Sequence, residues 1–116
     1  MAFRIKRVYE PADLADGTRV LVDRLWPRGV KKSAASLALW MKDVAPSARL
    51  RLWFGHRPER FAEFRRRYQK ELVGNPAVGE LRKLGRGKRV TLVYAAHDPA
   101  TNHAVVLQSV LRGSRR

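Results

Sequence analysis

Apolar positions recur along this chain at two spacings, and the change of spacing marks its elements. From Phe3 to Tyr9, Phe3, Ile5 and Val8 interleave with Arg4, Lys6 and Arg7, which predicts a first strand. Glu10 to Thr18 holds Pro11, Asp13, Asp16 and Gly17, the chemistry of a loop. Arg19 to Leu25 is mostly apolar and predicts a second, central strand. It runs into Trp26-Pro27-Arg28-Gly29, where Pro27 stops regular pairing and Gly29 permits a sharp turn. Lys31 to Ala35 is expected to form one helical turn, and Leu37 to Val44 a third strand. Ser47, after Pro46, is placed to cap a short helix through Phe54.

The helical period is clearest from Pro58 to Leu72. Phe61, Phe64, Tyr68 and Leu72 stand three, four and four residues apart and form one apolar stripe. Pro58 suits a first helical position, and Glu63 and Arg67 are spaced for a favourable ion pair along the helix. Gly74-Asn75-Pro76 ends this helix, and Pro76 to Leu84 predicts another. Arg89 to Ala96 is the strongest strand, β-branched and apolar, and a last helix is expected from Pro99 to about Arg112, stopped by Gly113. Apolar strands separated by helices imply parallel crossovers. The expectation is a single α/β domain: three layers, with a mostly parallel sheet of about four strands flanked by helices.

At 116 residues the chain is long enough for one packed core and too short for two. It has no cysteine, which removes disulfides, thiol nucleophiles and thiolate metal sites together. No run approaches the ~18 apolar residues of a membrane span. Met1 to Arg7 carries charge with no apolar stretch of signal-peptide length behind it. The expected setting is the cytoplasm, without membrane contact. The net charge of +15 is spread along the chain, with 12 basic and 5 acidic residues before Pro58 and 13 and 5 from there on. Arg outnumbers Lys by 18 to 7 and Ile5 is the one isoleucine, a bias that GC-rich codon choice would also produce.

Four blocks in order are distinctive: Val22-Asp23-Arg24-Leu25-Trp26-Pro27-Arg28-Gly29, Ala45-Pro46-Ser47, Leu52-Trp53-Phe54-Gly55-His56, and Leu92-Val93-Tyr94-Ala95-Ala96-His97-Asp98 followed by Asn102-His103-Ala104. Together they resemble the YeaO-like family of uncharacterised bacterial proteins, over roughly Ile5 to Leu111. The resemblance implies a small cytoplasmic α/β domain and supplies no cofactor, substrate or agreed catalytic set. Members often have an acidic residue where Arg57 stands, which would cap the following helix.

Open parallel sheets bind ligands beyond the carboxyl ends of their strands. Here those ends lead into Asp23 to Gly29, Asp43 to Ser47, and His97 to His103. The leading expectation is a small-anion site at this edge. Arg24 and Arg28 would hold the anion through forked donors. Ser47 and Asn102 would add polar contacts, and helix starts at Ser47 and Pro99 would present backbone N–H groups. His97 or His103 would carry a proton, with Asp23 beside them, since imidazole titrates near neutrality. Each residue also has a plainer reading: Asp23 and Arg24 as an ion pair, Trp26 as a packing plug, Ser47 and Asp98 as helix caps, and both histidines in loop hydrogen bonds. No zinc-ligand spacing is present, so no metal or other cofactor is assigned. Gly85-Arg86-Gly87-Lys88 precedes a strand and reads as a basic turn.

A second expectation is nonspecific nucleic-acid binding. Arg65, Arg66, Arg67 and Lys70 would supply the phosphate contacts, extended by Arg82, Lys83, Arg86, Lys88 and Arg89. No base-reading motif accompanies them, and a solvated helix face explains the same residues.

Overall fold

In the computed structural model, which describes residues 3–113, four strands form one wholly parallel sheet. β1 (Phe3–Arg7), β2 (Thr18–Leu21), β3 (Leu39–Trp40) and β4 (Val90–Tyr94) lie in the order β1-β4-β2-β3. β4 is fully buried because it is paired on both sides, Phe3 facing Val90 on β1 and Thr18 facing Val90 on β2. Its β-branched, apolar sequence suits that position, where neither face meets water.

The helices are α1 (Lys32–Ala35), α2 (Ala48–Phe54), α3 (Phe61–Leu72), α4 (Pro76–Leu84) and α5 (His103–Gly113). Ser47 caps α2 by accepting from Leu50 N, and Asn75 caps α4 by accepting from Ala77 N. The apolar stripe of α3 buries Phe64, Tyr68 and Leu72, with Phe54 stacked on Phe64 at 4.4 Å between ring centroids. Pro58–Arg60 forms a 3-10 turn that leads into α3. Arg57 caps nothing; its guanidinium pairs with Glu59 at 3.0 Å.

Alternation along the strands divides the core between the two faces of the sheet. Phe3, Val20, Val22, Val90, Leu92 and Tyr94 join α2 to α5 in the main cluster. Leu21 and Val93 face the other way and meet Val8, Trp26, Val30, Leu37 and Trp40. The covering on that side is a thin layer of loop and one helical turn, so the domain measures 36 × 35 × 20 Å.

A closed ionic cluster also lies on this thinner side. Asp16 is 3% and Arg19 4% exposed, and their side chains meet at 2.6 Å. Lys6 adds a second cation at 3.1 Å, and Arg19 donates to Ala35 O through Nε and Nη2. Burial opposes the charge of Asp16, yet donation from Lys6, the Asp13 backbone and Arg19 prevails and holds its carboxyl below the usual range. Gly17 follows at φ 66°, and a side chain there would lie 2.4 Å from Arg89 O. The turn that delivers Asp16 therefore needs glycine for both conformation and space.

The strands end two to four residues short of expectation, β1 at Arg7, β2 at Leu21 and β4 at Tyr94, and two further sequence expectations change. Leu37 to Val44 yields only Leu39–Trp40 as strand, followed by a 3-10 turn, Lys42–Val44, whose Ala45 N–H returns to Lys42 O. The last helix begins at His103 instead of Pro99. Asp98 closes the intervening turn by accepting from Ala100 N, Thr101 N and Thr101 Oγ1. Asn102 caps α5, its Oδ1 accepting from Val105 N at 3.1 Å.

Candidate functional site

The carboxyl ends of the strands open into a cleft of about 880 Å³. Asp23, Arg24, Arg28, His97, Asn102 and His103 all line it, so six of the seven residues proposed for the anion site converge. Ser47 lies outside: besides capping α2, its hydroxyl donates to Glu71 at 2.7 Å and its N–H to the same carboxylate at 2.9 Å.

Several of the six are committed to holding the fold. Asp23 bridges the ends of β2 and β4, accepting from Ala95 N at Oδ2 (3.1 Å). Its Oδ1 is buried without a well-aligned donor and lies 2.9 Å from His103 Nε2. That nitrogen is also 3.2 Å from Val22 O, which places it between a carboxylate and a carbonyl. Asp23 is thus partnered with His103, not with Arg24 as the adjacent-pair reading supposed. Arg24 instead donates to Pro46 O at 3.0 Å and Ala45 O at 3.3 Å, bracing the cleft wall. Its expected role as a freely available anion holder is reduced, because two unpaired carbonyls at the end of the 3-10 turn take its donors. Asn102 is 1% exposed, and donation to Asp98 O at 2.8 Å together with capping of α5 commits one of its two amide N–H groups and its carbonyl oxygen to the fold.

Other groups remain uncommitted. Arg28, His97, Arg51 and His56 have no side-chain hydrogen bond or ion partner among the described residues. The turn carrying Arg28 is anchored on either side: Trp26 Nε1 donates to Val30 O at 2.7 Å, and Tyr9 Oη donates to Arg28 O at 2.9 Å. Trp26 packs edge-on against Trp40 at 5.3 Å, confirming a packing role for its ring. The arginine itself stays exposed.

Sequence reasoning missed the contribution of α2. Arg51, Phe54 and His56 line the cleft, together with Phe64 from α3 and the exposed Tyr9 and Leu25. His56 sits at φ 58° directly after Gly55 at φ 54°. A non-glycine residue in this left-handed region costs of the order of 1–3 kcal/mol, and such costs concentrate at functional sites. The available signal was the Leu52-to-His56 block itself, which ends in the histidine.

Among the described residues, no three His, Asp or Glu side chains are grouped as metal ligands. Tyr68 lies below the cleft and donates its hydroxyl to Val44 O; burial, then the nearby Glu71 and Asp23, push its pKa far upward, so the phenol remains a donor.

The basic face of α3 lies apart from this cleft. Glu63 pairs with both Arg66 and Arg67, the latter at 2.8 Å. Arg60 and Arg67 each stand over the Trp53 ring, at 5.0 and 4.5 Å, and Arg65 over Phe61 at 5.6 Å. Lys70 is exposed, with no partner among the described residues.

Residues 2–115 match the family described as the inactive DUF488-N3 subclade. The chain belongs to this family. It is 52% identical over 110 residues to the uncharacterised protein Rv3073c of Mycobacterium tuberculosis, covering 95% of this chain and 93% of that one. The same figures hold for an uncharacterised protein of Mycobacterium bovis, Mb3100c. With the uncharacterised protein YeaO of Escherichia coli it shares 42% identity over 113 residues, 97% of this chain and 98% of that protein. Membership of the YeaO-like family, expected from the four blocks, is therefore established. No solved structure matches the chain. No helix among the described residues of this family member is long and apolar enough to cross a membrane.

Proposed function

We propose that the cleft at the carboxyl edge of the sheet binds a small anionic ligand. The observation that carries this reading is a convergence: all three histidines of the chain and three of its arginines line one cleft. Folding leaves Arg28, Arg51, His56 and His97 there without internal partners among the described residues. Cations that stabilise a fold are ordinarily paired, as Arg19 is with Asp16. Two arginines gathered without partners in a concave site, with two imidazoles beside them, are positioned for a ligand that brings the negative charge.

Arg28 and Arg51 are the principal contacts in this reading, and His97 supplies a further donor. Asp23 and His103, half-buried and 2.9 Å apart, form a polar pair in the lining beside the ligand. The description of the family as inactive favours binding without turnover, as does the engagement of Ser47 with Glu71. The test is a thermal-shift screen of nucleotides, sugar phosphates, small carboxylates and inorganic phosphate. A ligand of the folded state raises the melting temperature by mass action, by about 2.7 kcal/mol of stabilisation at a hundred times its Kd. Stabilisation that disappears in Arg28→Ala supports the reading; no stabilisation by any anion rejects it.

A further inference from the structure

The cleft is built for more than charge. Its volume of about 880 Å³ lies in the ~300–1,000 Å³ range of organic-ligand sites, far more than a lone oxyanion fills. Much of its lining is ring and hydrocarbon. The buried, stacked Phe54 and Phe64 back it from the core, Pro46 and Ala95 also line it, and the exposed Tyr9 and Leu25 complete the lining. Leu25 is 59% and Tyr9 47% exposed, two of the six large apolar side chains the described residues leave open to water. The Arg7 guanidinium covers one face of the Tyr9 ring at 4.8 Å. A bare phosphate or sulfate would leave these apolar surfaces unused and would gain nothing from them.

Resting on the anion-binding reading, we infer that the ligand is an organic anion built on an aromatic ring, its charged head toward Arg28 and Arg51 and its ring against the apolar lining. Rings and guanidinium planes favour a flat partner, because stacking and cation–π contact both act on faces. Two sources share this chemistry: a nucleoside monophosphate, and an aryl phosphate without sugar.

Isothermal titration of the full chain with four probes tests the inference: inorganic phosphate, ribose 5-phosphate, phenyl phosphate and adenosine 5′-monophosphate. Phenyl phosphate and the nucleotide are expected to bind at least tenfold more tightly than the two probes without a ring. A tighter nucleotide than phenyl phosphate supports the nucleotide source, and the reverse order supports the aryl source. Leu25→Ser, at an exposed position that folding does not need, should lower phenyl phosphate affinity at least threefold more than inorganic phosphate affinity. Equal affinity for ribose 5-phosphate and phenyl phosphate overturns the aromatic ligand while leaving an anion site in place. If none of the four binds, this inference is overturned, while the anion reading stands or falls on the wider screen that includes the carboxylates.

Discussion

Two charged regions of this molecule use the same residue types for opposite ends. On the thin side of the sheet, Asp16, Arg19 and Lys6 are packed together, and the Arg19 guanidinium also meets the Ala35 carbonyl. At the carboxyl edge, Arg28 and Arg51 are held in a cleft beside His56 and His97 with no such partners among the described residues. Desolvating a charge is costly, so the first cluster is tolerable only because each charge meets its complement. The second stays partly in water and needs no internal complement. Breaking the first should therefore damage the fold, and breaking the second should damage recognition.

Removing Asp16 is expected to have the largest effect. Asp16→Ala leaves Arg19 and Lys6 without their anion, and loss of one partner from a buried pair costs about 3–5 kcal/mol. Urea denaturation of the variant measures it; a loss under about 1 kcal/mol would show that the cluster is not a structural staple.

Acid acts on the same group more gradually. The Asp16 carboxyl is held below its ordinary 3.8, so the unfolded chain binds its proton first as pH falls. The resulting stabilisation is complete above about pH 5 and is lost as pH drops through the folded value, which lies below 3.8. Stability followed from pH 6 down to 2 should decline less steeply in Asp16→Asn than in the wild type. Parallel curves would assign the acid response to other carboxylates.

The smallest effect on stability is expected at Arg28. Its exposed side chain has no internal partner among the described residues, so Arg28→Ala should stay within about 1 kcal/mol of the wild type. The same change should weaken phenyl phosphate more than tenfold, about 1.4 kcal/mol by calorimetry. An Arg28→Ala variant as unstable as Asp16→Ala would make the two regions alike and remove the contrast.

Much of the fold was legible because its signals are local. Ser47 caps α2 where its side chain reaches the next turn, and Pro76–Leu84 follows from its proline start and the glycine after it. β4 was legible from its β-branched run. Leu37 to Val44 was not, since a short apolar run carries no period that separates strand from turn. The start of α5 was misread at Pro99 because Asp98 and Asn102 are both capable caps, four residues apart. The choice fell to Asn102 when its amide also reached Asp98 O.

By itself the sequence determined the family, the order of strands and helices, the even spread of the +15 charge and the edge of the sheet where polar groups gather. Each follows from neighbours along the chain or from a rule about parallel sheets. Only the tertiary structure decided which charges are satisfied. Arg24 and Arg28 stand four residues apart in one turn, yet Arg24 is drawn to Pro46 O, twenty-two residues on, while Arg28 stays exposed. Asp16 and Arg19 gave no sign in the sequence of being buried together. Arg51 and His56 joined the cleft because α2 packs beside the strand ends. A side chain's charge is written in its residue type, but its partner and its access to water are set by groups remote in sequence that folding brings within a few ångströms.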